Sequence, residues 1–131
     1  MNYRDFKPYS KISSLTLGGG GIGQVWGETT SEEAIRTVHS ALDHGINHFD
    51  VAPMYGKGEA ERIIGKSLNG VDADDLYFNT KCQLGTPPDT KDNDKLNDSL
   101  TRSLDNMKLE KVNLFLLHSQ LIEDNYKLYK F

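Results

Sequence analysis

The stretch INHFDVAPMY at residues 46–55 decides the fold. A short apolar run typical of a buried strand ends on Asp50, and the loop that follows carries Tyr55. Two later apolar runs share this design, since LYFNTK ends on Lys81 and VNLFLLH ends on His118. In (β/α) barrels the active site lies at the C-terminal ends of the strands. We therefore expect these four side chains to converge at one end of a parallel sheet.

Strands and helices alternate along the chain. The predicted strands are 12–17, 46–51, 76–82 and 112–117, and the predicted helices are 30–44, 59–68 and 94–107. Thr30 and Glu33 form a capping box at the start of the first helix. Short buried strands alternating with helices predict a parallel α/β sheet in a single domain, residues 1–131. The aromatic and polar tail at 119–131 suggests a further helix.

Composition excludes several classes of protein. Lys and Arg number 15 against 19 Asp and Glu, a net charge of −4 without a basic patch, so nucleic acid is not an expected partner. No apolar run approaches the ~20 residues that a membrane helix needs. The polar start MNYRDFKPYSK lacks the apolar segment of a secretory signal. The single cysteine, Cys82, fits a reducing compartment, so a cytoplasmic protein is expected.

The glycine run at 18–23 matches G-x-G-x-x-G literally. A dinucleotide-binding fold requires a helix that begins inside this motif, whereas the predicted cap, Thr30, lies well beyond it. The favoured interpretation is a flexible loop whose backbone can approach a ligand closely, and a simple tight turn is the alternative.

The four strand-end residues make a coherent proton-transfer site. An unperturbed phenol has a pKa near ~10, and a nearby ammonium favours its ionised form, so Lys81 can tune Tyr55. Asp50 can keep Lys81 charged, and His118 can donate to a carbonyl oxygen. Such a site suits reduction of an aldehyde or ketone, with hydride supplied by another group. Each residue alone has a structural explanation, so the hypothesis depends on their joint placement.

Other polar candidates are weaker. His44 and His48 straddle the predicted helix stop at Gly45, so they do not share a helical face, and no Cys/His cluster supports a metal site. Cys82 follows Lys81 on the same strand and so points to the opposite face, where packing is its expected role.

At these residues the chain resembles the aldo-keto reductase family. The resemblance is carried by LTLGGGGIGQVWG, GINHFDVAPMYGKGEAERIIGKSL, FNTK and SLTRSLDNMKLEKVNLFLLH, and it covers about residues 10–120. It implies a TIM (β/α)8-barrel fold and NADP(H)-dependent, or NAD(H)-dependent, reduction of a small-molecule carbonyl without a metal. It also implies that Tyr55 is the general acid and His118 orients the substrate.

The resemblance implies further binding roles. Gly19, Gly20 and Asp50 would lie near the nicotinamide end of the cofactor, and Trp26 would border the substrate pocket. The family barrel typically has about 250 residues, whereas this chain supplies only four strands, a half-barrel without the main adenine and phosphate contacts. A truncated reductase is the favoured explanation. Self-association of two half-barrels through exposed sheet edges, or a non-catalytic binding or subunit-like protein, are the alternatives.

Overall fold

The computed structural model describes residues 1–7, 9–84 and 90–118. The strands are β1 (Tyr3–Phe6), β2 (Tyr9–Ser13), β3 (Leu17–Gly18), β4 (His48–Asp50), β5 (Tyr77–Cys82) and β6 (Leu114–Leu117). The helices are α1 (Gly19–Ile22), α2 (Ser31–Asp43), α3 (Glu59–Ser67) and α4 (Asp92–Met107). No helix in these described ranges is both long and apolar enough to cross a membrane.

Four strands form one parallel sheet in the order β3-β4-β5-β6. The strands have the same order in the sheet as in the sequence. The helices α2, α3 and α4 connect them, as in successive βα units. The predicted parallel α/β architecture is confirmed.

The first predicted strand, 12–17, is wrong. Its beginning belongs to β2, which pairs with β1 as an antiparallel hairpin, and only Leu17–Gly18 joins the parallel sheet. Every residue of β1 is exposed, so this strand carries no alternation of buried and exposed positions that the sequence could reveal. Asn47 ties this hairpin to the sheet, because its side chain accepts from the Ser13 amide (2.8 Å) and donates to the Lys11 carbonyl (2.9 Å).

The remaining elements occur where the pattern predicts them, with different ends. β4 and β6 are shorter than predicted, while α4 begins two residues earlier, at Asp92. The helix suggested for 119–131 lies outside the described residues.

The two faces of the parallel sheet differ in polarity. Phe49 and Phe78 are buried and stack at 5.3 Å between ring centroids, and they belong to the core that the sheet shares with α2 and α3. Side chains alternate along a strand, so the neighbours of these rings face the other way. The side chains on that other face are His48, Asp50, Tyr77, Asn79 and Lys81, and each carries a polar group.

The predicted capping box at the start of α2 is confirmed. The Glu33 amide donates to the Thr30 hydroxyl oxygen (3.2 Å), and the Thr30 amide donates to the Glu33 carboxylate (3.0 Å). The Thr30 amide and hydroxyl, which both donate to this carboxylate, hold the pKa of Glu33 below its ordinary value of 4.5.

This lowered pKa predicts a pH dependence of stability. A carboxyl whose folded pKa is depressed stabilises the fold above its unfolded pKa, and this contribution is lost as pH falls through the folded value. Glu33→Ala is therefore expected to lower the free energy of unfolding at pH 7, by an amount that shrinks as pH falls below 4.5. Urea denaturation at several pH values measures this. Glu32→Ala, in the same helical turn but outside the capping box, is the control, and an equal loss in both variants at every pH would contradict the prediction.

Candidate active site

Asp50 and Lys81 meet at the carboxyl ends of two neighbouring strands. The Lys81 Nζ donates to Asp50 Oδ2 at 2.7 Å and to the Val51 carbonyl oxygen at 3.0 Å. The Lys81 side chain is 13% exposed and that of Asp50 is 31% exposed, so the pair is partly screened from water. The ion pair and the carbonyl together fix the ammonium at this end of the sheet.

Tyr55 reaches the same place from the loop after β4. The Lys81 Nζ lies 5.1 Å from the Tyr55 ring centroid, over the ring face. The His118 ring lies 5.6 Å from that of Tyr55, edge-on at an interplanar angle of 89°. The structure therefore brings all four predicted residues together, with Tyr55 in contact with both Lys81 and His118.

His118 follows β6, and its backbone extends the pairing with β5 through an amide that donates to the Cys82 carbonyl (2.8 Å). Its Nδ1 atom is buried and has no hydrogen-bond partner among the described residues. The backbone bond fixes the main chain at His118, and the ring itself packs edge-on against Tyr55. Cys82 itself is buried and free, in agreement with its predicted packing role.

The glycine run is packed against the Tyr55 loop and is not an open, flexible loop. α1 forms a single helical turn inside the run, where the sequence predicted no helix, and the long helix α2 begins only at Ser31. A Cβ on Gly19 would lie 2.8 Å from Val51 and 3.1 Å from the Tyr55 ring. A Cβ on Gly23 would lie 2.9 Å from Tyr55 backbone atoms. Close backbone approach explains these glycines, and the neighbour approached is Tyr55.

Trp26 covers the other side of the same turn. Its ring lies over Gly20, where an added Cβ would come within 2.8 Å of the indole, yet the side chain is 81% exposed. The indole is therefore accessible at a turn that also packs against Tyr55.

Sequence reasoning missed a hydrogen-bonded row beside the quartet. Thr16 Oγ1 lies 2.8 Å from His48 Nδ1, and His48 Nε2 lies 2.7 Å from Asn79 Nδ2. The row runs along the polar face from the residue before β3 to β4 and β5. Alternation along β4 could have revealed it, because His48 is two residues before Asp50 and so shares its face.

His44 does not join His48. Its Nδ1 contacts the Ser40 carbonyl oxygen at 2.7 Å, within the last turn of α2. Within residues 1–7, 9–84 and 90–118, no group of three His, Cys, Asp or Glu side chains could hold a metal ion.

Comparison with known proteins places these features in a family. The model of the Aldo/keto reductase family matches residues 14–125. The L-galactose dehydrogenase of Arabidopsis thaliana is 30% identical over 110 residues, which cover 82% of this chain and 34% of that protein. The chain thus spans about a third of the length of the curated relatives that it matches first.

Solved structures agree. The thermostable aldo-keto reductase Tm1743, solved with the inhibitor epalrestat, superimposes with a TM-score of 0.77 at 30% identity, covering 94% of this chain and 44% of that one. An aldo-keto reductase from Klebsiella pneumoniae in complex with NADPH gives a TM-score of 0.69 at 18% identity, covering 90% of this chain and 40% of that one. At this identity the likeness supports the fold and nothing further. The described sheet and helices are a partial α/β barrel of TIM-barrel type.

Proposed function

This chain belongs to the aldo/keto reductase family. On that basis we propose that it forms part of an oxidoreductase that reduces aldehydes or ketones to alcohols with NADP(H) or NAD(H). The observation that carries the proposal is the Lys81–Asp50 ion pair placed against the Tyr55 ring. Together with His118 this arrangement has the parts needed to give a proton to a carbonyl oxygen.

The proton steps follow from the geometry. Tyr55 would donate its hydroxyl proton to the carbonyl oxygen of the substrate. The Lys81 ammonium, 5.1 Å from the ring centroid, would stabilise the negative charge left on Tyr55. Asp50 balances the charge of Lys81 and holds it in place at 2.7 Å. His118, edge-on to Tyr55, would help to orient the carbonyl.

The residues fit one end of a nicotinamide dinucleotide. Asp50 gives one carboxylate oxygen to Lys81 and keeps 31% of its side chain exposed, so its second oxygen can accept from a sugar hydroxyl. Gly19 and Gly20 bring backbone to the same end of the sheet, as expected for the nicotinamide side. When bound, the cofactor would supply hydride to the carbonyl carbon. Asp50, Gly19 and Gly20 are thus our proposed cofactor contacts, with Trp26 beside the substrate.

We also propose that residues 1–131 act as one partial barrel domain in the cytoplasm, where the buried thiol of Cys82 would stay reduced. The outer strands β3 and β6 each have a single neighbour in the described sheet, so both present an edge at which a second half-barrel could pair. A non-catalytic binding or subunit-like protein is the alternative function, and it predicts neither cofactor binding nor turnover.

Binding of NADPH tests the proposal. Trp26 is the single tryptophan, so its fluorescence reports on this end of the sheet alone. We expect saturable quenching with a Kd in the micromolar range, which corresponds to about −8 kcal/mol. The measurement is a titration of the purified chain with NADPH and, in parallel, with NADH.

Two controls complete the titration. N-acetyltryptophanamide corrects for absorption of light by the dinucleotide, and sedimentation velocity in the same buffer shows whether the species that binds is one chain or a pair. Quenching that only follows the N-acetyltryptophanamide curve would contradict a cofactor site in this chain, a result that both a truncated half-barrel and the non-catalytic alternative predict.

A further inference from the structure

A buried carboxylate joins three elements behind the active-site residues. Glu61 on α3 is fully buried. Its Oε1 accepts from the Thr80 hydroxyl on β5 at 2.7 Å, and its Oε2 accepts from the Asn106 amide on α4 at 3.0 Å. One side chain therefore links a strand and the two helices that flank it.

Packing alone does not account for a carboxylate at this position. Burying a carboxyl group is costly, and well-packed apolar side chains of similar volume can often replace buried charged groups without loss of stability. The neutral donors Thr80 and Asn106 offset part of this cost. Unlike an apolar side chain, the carboxylate makes a directional contact. Its hydrogen bond of 2.7 Å with Thr80 restricts the distance and the angle between α3 and β5.

Both ends of this link lead to active-site residues. Thr80 immediately precedes Lys81, and the alternation of side chains means that holding Thr80 toward α3 directs Lys81 to the opposite face, toward Asp50. On the other side, the amide of Ala60, next to Glu61, donates to the Tyr55 carbonyl oxygen at 3.2 Å. The position of α3 relative to β5 thus sets the position of Tyr55 relative to Lys81.

We propose that Glu61 is a positioning residue that sets the separation of Tyr55 and Lys81 through its hydrogen bond with Thr80. The catalytic meaning of this separation rests on the proposed function. The structural claim is independent of that function, because Glu61 can set the separation of Tyr55 and Lys81 whether or not the chain turns over a substrate.

Thr80→Val tests the link, because valine keeps the β-branched shape and loses only the donor to Glu61. The first readout is the set of nuclear Overhauser effects from the Tyr55 ring protons to the His118 ring and to the Lys81 side chain. We expect these to weaken in Thr80→Val while amide shifts elsewhere in the sheet stay in place. Where the chain turns over a carbonyl, kcat is expected to fall about 10- to 100-fold with little change in KM, as for a small misplacement of reacting groups.

Ser103→Ala is the matched control. Ser103 lies on α4, is fully buried, and its hydroxyl has no hydrogen-bond partner within the described residues. This variant also removes a buried hydroxyl but leaves Glu61 untouched, so it is expected to keep the parent Overhauser effects. Thr80→Ser, which retains the hydroxyl, is expected to keep them as well.

Glu61→Met gives a second route if Thr80→Val does not fold. Methionine has a similar volume but no oxygen that can accept from Thr80 or Asn106, so the contacts of Tyr55 are expected to change in the same direction. Parent-like Overhauser effects in Thr80→Val, or in Glu61→Met where that variant replaces it, would overturn the inference. Weakened effects in a chain without turnover would instead support Glu61 and count against the proposed function.

Discussion

The Tyr55→Phe variant is expected to lose carbonyl turnover by about 10²- to 10⁴-fold, the usual contribution of a general acid, while keeping its fold. Only the hydroxyl is removed. The ring remains to make the edge-on contact with His118 and to receive the Lys81 ammonium over its face. The rate is measured as the loss of NADPH absorbance with an aldehyde or ketone, and the fold by thermal unfolding.

A second tyrosine hydroxyl provides the control. Tyr3 lies in the hairpin, where its hydroxyl donates to the Gly45 carbonyl at 3.0 Å, far from the carboxyl ends of the strands. Tyr3→Phe is expected to keep the parent rate. A Tyr55→Phe rate close to that of the parent would remove Tyr55 from the mechanism and leave another proton donor to be found.

Lys81→Met is expected to reduce both stability and turnover. The change leaves the Asp50 carboxylate without its cation and the Val51 carbonyl without its donor. Breaking a buried pair costs about 3–5 kcal/mol and an exposed pair about 0–1 kcal/mol. Because Asp50 is partly exposed, we expect a loss of about 1–3 kcal/mol in the free energy of unfolding, measured by urea denaturation.

The double variant Asp50→Asn, Lys81→Met separates the charge from the packing. With no charge left unpaired, it is expected to be more stable than the sum of the two single changes predicts. Lys66→Met, at an exposed pair with Glu59 of 3.8 Å, is expected to cost less than about 1 kcal/mol. Strictly additive losses in the double variant would show that the ion pair contributes nothing specific to this site.

The sequence predicted what depends on local pattern. The Thr30 capping box follows from two residue types at a fixed spacing, and the structure has both of its hydrogen bonds. The meeting of Asp50, Lys81 and His118 follows from parallel strands, whose carboxyl ends share one edge of the sheet. The position of Tyr55 does not follow from strand pairing alone, because it depends on the conformation of the loop after β4.

Long-range packing was beyond the sequence pattern. β1 is exposed at every position and therefore has no apolar period that could reveal the hairpin. The bond between Glu61 and Thr80 joins residues that are 19 apart in sequence, and neither residue type signals the other. The contact of Gly23 with Tyr55 is invisible for the same reason, since it is set by how two loops pack and not by either loop alone.

The packing of the glycine turn on the Tyr55 loop has a consequence for genetic screens. Gly56 has a φ of +64°, and a Cβ there would overlap the carbonyl oxygen of Gly23. Replacing Gly23 or Gly56 would displace Tyr55, although neither glycine is a proposed contact of the substrate or the cofactor. A library of variants scored by activity alone would group these positions with the proton donor and would assign too many residues to the active site. Scoring the same library for protein abundance as well would distinguish the glycines that hold Tyr55 in position from Tyr55 itself, the proposed proton donor.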